Sequence, residues 1–322
     1  MSVDAKVEGG VVAEVDVIMI GAGPSALASA IYTTREDLKT ILLEKGVVGG
    51  LAAITDQVDN YPGFEEGITG LALAEKLEKQ AERFGADIRW GEVAAIEKTE
   101  DGVRVITNDD TQYLAKAVLI ATGSDYKKIG VPGEEEYYGR GVHYCATCDG
   151  AFYRDKNLVV VGGGNSAVQE ALFLTRFTTH IDLLVRSTIK ASEVLQHDLQ
   201  KAIDEGKITV HLNTTTDEII AEENKVVKVI GTKDGTKTEF ETNGIFVFVG
   251  LLPNTGFLQG SQIELDETGF IKTDEHLMTA VPGVFASGDV RSGATMQIAS
   301  AVGEGATAAL KIREYLEEQA RK

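Results

Sequence analysis

The feature that most constrains this chain is one pattern written twice: a short aliphatic run, a glycine turn, a helical stretch and a second aliphatic run. In the first copy Val15 to Ile20 reads as a strand and Gly21-Ala22-Gly23-Pro24-Ser25-Ala26 as a turn. Leu27 to Thr34 then reads as a helix, and Thr40 to Leu43 as a strand ending at Glu44. Strand, helix and strand in that order predict a βαβ unit, and hence an α/β fold. The glycines let a pyrophosphate approach the backbone, the helix N-terminus supplies N–H donors, and Glu44 stands where a carboxylate meets ribose hydroxyls. In isolation Gly-x-Gly-x-x-Ala is a weak signal; with its strand, helix and following acid, a bound dinucleotide is expected over a merely tight turn.

The second copy runs from Leu158-Val159-Val160-Val161 through Gly162-Gly163-Gly164-Asn165-Ser166-Ala167 into a helical stretch, Val168 to Phe177, and a strand, Ile181 to Val185. No carboxylate follows that strand, and Asp182 lies too early, inside it. Arg186 and Lys190 could reach a 2′-phosphate, and read equally well as a solvated loop. Two further buried strands run into glycine turns, Val118 to Gly123 and Val284 to Val290. Asp289 is placed to bind a ribityl or ribose hydroxyl, with an ordinary turn residue as the alternative. The helix expected over Gln297 to Leu316 can direct its N-terminus at a flavin ring edge.

Cys145-Ala146-Thr147-Cys148-Asp149 holds the only two cysteines of 322 residues. A pair spaced in this way closes a small ring that reopens easily, so it can accept and pass on two electrons. A zinc site would want two more ligands and only His143 is near, so no metal is expected. Asp149 can give a proton to a departing thiol or cap the helix that follows, and His143 is left outside the core set. With 31 basic against 50 acidic residues and a net charge of −19, nucleic acid is not an expected partner. No apolar run approaches the ~18 residues of a membrane span. Met1 to Glu14 reads as a flexible extension without the marks of a signal peptide, which points to a cytoplasmic protein. In a reducing compartment a lone Cys-x-x-Cys is more often catalytic than structural.

The order of Gly21 to Ala26, Ala121-Thr122-Gly123, Cys145 to Asp149, Gly162 to Ala167 and Ser287-Gly288-Asp289-Val290 resembles low-molecular-weight thioredoxin reductases, from about Val15 to the last helix. The resemblance implies two dinucleotide-binding, Rossmann-like three-layer domains, the second inserted in the first. The FAD-binding domain would take 15–122 and 250–322, and a pyridine-nucleotide-like domain carrying the redox disulfide would take 123–249. Gly49-Gly50-Leu51 is similar to the family's flavin-side glycine segment, and Asp59-Asn60-Tyr61-Pro62-Gly63 to its active-site loop. FAD contacts are implied for Gly21, Gly23, Pro24, Ser25, Ala26, Glu44, Lys45, Gly50, Leu51, Asn60, Ala121, Thr122, Gly123, Gly288, Asp289, Met296, Gln297 and Ile298. A second nucleotide site is implied at Gly162, Gly164, Asn165, Ser166, Ala167, Arg186 and Lys190. By the same resemblance Cys148 is the flavin-side sulfur and Cys145 attacks thioredoxin. The inserted domain would rotate on hinges near Gly123-Ser124 and Gly250 to Asn254, and the molecule would be a homodimer.

The departures from the family pattern cluster around the nicotinamide and flavin sites. Where NADPH-using members carry His-Arg-Arg and a further Arg, this chain has Val185-Arg186-Ser187 and Lys190-Ala191-Ser192. Met296-Gln297 stands for the family's Arg-Gln, and Leu51 for a Gln. Losing two charge-assisted contacts to phosphate weakens NADPH binding by roughly two to four powers of ten. That argues against NADPH as the donor and for likeness to the deeply branching, ferredoxin-dependent flavin thioredoxin reductases. The alternatives are a conventional NADPH-dependent thioredoxin reductase in which Arg186 and Lys190 suffice, an FAD-dependent dithiol oxidase, and a nucleotide-bound redox sensor.

Overall fold

The computed structural model describes residues 11–55 and 57–321. They form two compact units, one from the described residues up to Asp125 together with those from Leu252 on, the other from Tyr126 to Leu251.

In the first unit the strand Val11–Ile20 is flanked in parallel by Thr40–Glu44, with Asp87–Trp90 beyond it, and on the other side by Gln112–Ile120. That last strand is shared along its length. Its second half pairs in parallel with Val284–Ala286, and its first half pairs antiparallel with Val103–Thr107, which continues to Val93–Lys98. Both faces are covered, so the central strands read as continuous aliphatic runs and not as alternation. Val17, Met19, Leu119 and Phe285 cluster with Leu27 and Ala30 of the helix Pro24–Arg35 and with Ile312 of the helix Ile298–Ala320. Val15, Ile18, Ile20 and Val118 cluster instead with Val93, Val103 and Val105 of the antiparallel strands.

Three boundaries differ from expectation. The first strand begins at Val11, so Val11 to Glu14 is paired sheet and not extension; residues 1–10 lie outside the described residues. The first helix opens at Pro24, whose fixed φ and missing N–H suit a helix start. The last helix continues through the acidic tail to Ala320, where Glu317 lies 3.7 Å from Arg313 and 3.6 Å from Arg321, each one turn away.

The second unit repeats the plan. Its parallel sheet runs in the order Ile208–His211, His180–Leu184, Asn157–Val161, Ile245–Val247, Val142–His143. The helices Asn165–Leu174 and Glu193–Asp204 cover one face around Val160, Leu183 and Phe246. The antiparallel strands Thr214–Glu222, Lys225–Lys233 and Thr236–Glu241 cover the other through Ile219, Val229 and Phe240. Their two tight turns, Glu223-Asn224 and Asp234-Gly235, have positive φ at both central residues, the geometry that matches strand twist. The first of the two helices stops at Leu174 and not at Phe177, with the Thr175 and Thr178 hydroxyls bonding back to the carbonyls of Leu172 and Leu174. Each unit is a three-layer α/β fold of the dinucleotide-binding kind. The chain crossings Ser124–Tyr126 and Leu251–Pro253 pair with one another as a short sheet. No helix among the described residues is long and apolar enough to cross a membrane.

Candidate redox centre and nucleotide-binding turns

In the first unit the glycine turn leaves the strand Val11–Ile20 at Gly21, whose φ is +97° and whose missing Cβ would lie 2.6 Å from the carbonyl oxygen of Ala121. A side chain is excluded there by conformation and by space. Gly21→Ala is expected to cost about 1–3 kcal/mol, read as a fall in Tm; an unchanged Tm would show that the turn relaxes.

The helix that follows starts from Gly23 with no side chain capping it, and a Cβ at Gly23 would enter open space. Its first-turn N–H groups are left for a phosphate. The two oxygens of Glu44 accept the N–H groups of Ala22 and Gly46, both at 2.7 Å, so the carboxylate braces the turn from the neighbouring strand. Gly49 donates its N–H to the Ala22 carbonyl at 2.8 Å, which brings Gly50 and Leu51 to the same turn. Ser25 joins it through a 2.7 Å bond to Ser287. Asn60 donates to Gln297 at 3.1 Å, tying the concave loop Asp59 to Gly67 to the start of the last helix at Ile298. Met296 there has a positive φ of 55°. Ala121, Thr122 and Gly123 follow the strand Gln112–Ile120, and the Thr122 hydroxyl donates to the Asn254 carbonyl at 2.8 Å. Lys45 turns away, pairing with Glu92 at 3.3 Å.

Asp289 sits on a turn held from behind. The Gly288 N–H donates to Glu304, which also grips Arg291 at 2.5 Å. The Asp289 carboxyl receives no hydrogen bond among the described residues, and burial, with a smaller push from Glu304, raises its pKa to about 6. A desolvated carboxyl without a donor is what a ribityl or ribose hydroxyl would satisfy, so turn, helix end and acid together fit a flavin dinucleotide. The raised pKa means that folding disfavours the ionised form. The cost is full above about pH 6 and is relieved as pH falls from there toward 3.8. Asp289→Asn is therefore expected to stabilise the flavin-free protein above pH 6, by on the order of 2–3 kcal/mol, with no gain below pH 4, while weakening flavin binding. Equal denaturation midpoints at pH 8 would contradict this.

The second unit carries the parallel turn. Gly162 has φ +143°, and a Cβ on it would run into the Phe248 carbonyl oxygen. The helix begins after an exposed Gly164. The loop after the strand His180–Leu184 folds onto this turn, with the Lys190 N–H on the Gly163 carbonyl at 2.6 Å and the Ser192 N–H on Asn165 Oδ1 at 2.8 Å. Ser166 is exposed at the helix start, and Ala167 is buried beneath it. Arg186 and Lys190 are exposed, and among the described residues neither side chain has an ion pair or hydrogen bond. Asp182 is occupied by His211 at 2.7 Å.

The two cysteines lie at the edge of the same unit, where the strand Val142–His143 passes through Tyr144 into the single helical turn Ala146–Asp149. Tyr144 anchors the approach: it is buried and donates to Glu134 at 2.8 Å, a carboxylate that also accepts the amides of Ile129 and Gly130. Cys145 and Cys148 are joined in a disulfide with Cα atoms 5.3 Å apart. Cys145 is half-buried and occupies the N-cap, its sulfur accepting the Cys148 N–H at 3.2 Å; Cys148 is exposed. Asp149 does not act as a cap. The turn Gly150–Tyr153 that follows has no side-chain cap, and the Asp149 carboxylate lies instead 3.2 Å from His143 Nδ1. The buried His143 ring stacks on Phe246 and places Nε2 2.7 Å from the hydroxyl of Tyr153, also buried. His143 and Tyr153 are the residues that sequence reasoning missed, and the only signal was the closeness of His143 to Cys145. No group of three His, Cys, Asp or Glu among the described residues is arranged to hold a metal.

The family model described as pyridine nucleotide-disulphide oxidoreductase matches residues 15–305. The chain is 42% identical over 306 residues to the thioredoxin reductase of Bacillus subtilis (strain 168), covering 94% of this chain and 95% of that protein. Among solved structures, the thioredoxin reductase from Streptococcus pyogenes MGAS5005 matches with a TM-score of 0.89 at 40% identity, covering 95% of this chain and 99% of that one. That of Lactococcus lactis matches with a TM-score of 0.64 at 42% identity, covering 94% and 99%.

Proposed function

This chain belongs to the low-molecular-weight thioredoxin reductase family, and we propose that it carries electrons through the Cys145–Cys148 disulfide to thioredoxin. The observation that carries the reading is the disulfide itself, set beside a carboxylate and on a unit separate in chain order from the flavin-type turn. FAD, held by Gly21 to Ala26, Glu44, Gly50, Asn60, Thr122, Asp289 and Gln297, would supply the electron pair that opens the sulfur–sulfur bond.

The chain's own groups do the rest. Cys148, the exposed sulfur, takes the electron pair. Cys145 leaves as a thiolate whose charge is stabilised by the Cys148 N–H already directed at it. That thiolate attacks the thioredoxin disulfide, and Cys148 resolves the mixed disulfide so formed. Asp149 supplies the proton to the thioredoxin sulfur that departs when Cys145 attacks.

For the donor we favour a ferredoxin, delivering electrons singly, over NADPH. Support comes from the loop Val185 to Ser192, which offers a 2′-phosphate two cationic side chains, Arg186 and Lys190, both exposed. The second reading, NADPH, rests on those cations having no carboxylate partner among the described residues and on their loop being bonded to the glycine turn. Anaerobic addition of NADPH, then NADH, then reduced ferredoxin separates the two. Bleaching of the flavin only by ferredoxin is expected, and rapid bleaching by NADPH would establish the second reading.

A further inference from the structure

We propose that Trp90 is a binding residue for the dinucleotide, stacking on the adenine whose ribose Glu44 takes. This deepens the reading of the first unit as an FAD site and rests on it. Trp90 is the only tryptophan of the chain. It is 76% exposed, with no ring contact or hydrogen bond among the described residues. Tryptophan is highly buried on average, although one exposed apolar side chain is by itself ordinary. What sets this one apart is its address.

From the edge of the sheet inward the strands are Asp87–Trp90, Thr40–Glu44 and Val11–Ile20. The glycine turn leaves the innermost of the three, Glu44 ends the middle one, and Trp90 ends the outer one. The order along a nucleotide, phosphate then ribose then base, is therefore the order across three neighbouring strand ends spaced ~4.8 Å apart. The three features also share a face. Trp90 is in parallel register with Glu44, and the Gly91 N–H donates to the Glu44 carbonyl at 2.9 Å. Leu42 and Ile88, two residues before Glu44 and Trp90, pack with Leu27 and Ala30 of the helix Pro24–Arg35. Leu43 belongs to the opposite cluster, and Arg89 lies over the Tyr113 ring of that same cluster. Side chains alternate along a strand, so Glu44 and Trp90 both stand on the helix side. Each Glu44 oxygen accepts one amide and keeps a second lone pair for a ribose hydroxyl. The charged residues that flank Trp90, Arg89 and Glu92, are paired with Asp87 and Lys45. What they leave beside Glu44 is an uncharged aromatic surface, which suits an uncharged flat base.

The test titrates the full chain, freed of flavin, with ADP, which has adenine, ribose and two phosphates but no isoalloxazine to take up indole emission by energy transfer. Excited at the red edge of tryptophan absorption, the protein reports this one position. ADP is expected to quench the emission saturably. Trp90→Ala is expected to raise the dissociation constants of ADP and FAD by the same factor, about 5- to 100-fold, the loss of one base–aromatic stack. Trp90→Phe should recover most of that loss, and neither variant should lower the Tm of the flavin-free protein. Binding of ADP with unchanged emission, wild-type affinities in Trp90→Ala, or a loss confined to FAD overturns the proposal while leaving the flavin reading intact. Wild-type protein that binds neither ligand overturns both. Should the flavin-free protein not stay folded, the rate of FAD loss from the holoenzyme decides: faster in Trp90→Ala and close to wild type in Trp90→Phe is expected, and equal rates in wild type and Trp90→Ala overturn the proposal.

Discussion

Cys145→Ser and Cys148→Ser are each expected to reduce thioredoxin at background rate while staying yellow. A serine hydroxyl holds its proton at neutral pH and cannot form the bond whose opening stores the electron pair, so loss of either sulfur removes the carrier entirely. Flavin should remain because the turns expected to hold it lie in the other unit, from Gly21 to Gln297 by way of Asp289, and none of them contains a cysteine. The two variants should differ in detail. With Cys145 retained, a mixed disulfide with thioredoxin can form and persist, because the resolving sulfur is gone; with Cys148 retained alone, no such adduct is expected. Thioredoxin-dependent turnover together with non-reducing gel analysis reads both points. Retained turnover in either variant would take the disulfide out of the mechanism.

Asp149→Asn is expected to slow disulfide reduction by a factor of about 10² to 10⁴, the range of a lost general acid. The substitution keeps size and hydrogen-bonding reach but has no proton to give. Since the Asp149 side chain caps no helix, little loss of stability should accompany the kinetic defect, and Tm should move far less than rate. A normal rate with a lowered Tm would mean that Asp149 serves structure alone.

The two dinucleotide-type units were legible because their signals are local. Val17 to Ile20 and Leu158 to Val161 are buried on both faces, which forces uninterrupted apolar runs, and Gly21 and Gly162 sit where neither backbone nor neighbours admit a side chain. Glu44 was visible as an acid after a strand, but its grip on the Ala22 and Gly46 amides was not, since that bond needs the register of two parallel strands. The antiparallel layer from Thr214 to Glu241 carries no chemistry-bearing motif and passed unread. His143 shows the limit most plainly. In sequence it is one imidazole near a cysteine; its meaning comes from an edge strand that buries the ring, and from two successive helical turns that return Asp149 and Tyr153 to its two nitrogens.

An anaerobic reductive titration of the purified protein, followed by oxidised thioredoxin, tests the central claim most directly. Uptake of about four electrons per FAD, two by flavin and two by disulfide, is predicted, with thioredoxin then drawing them off and the Cys148→Ser protein taking up about two. Uptake of about two by the wild-type protein, or a reduced protein that thioredoxin leaves untouched, would contradict it.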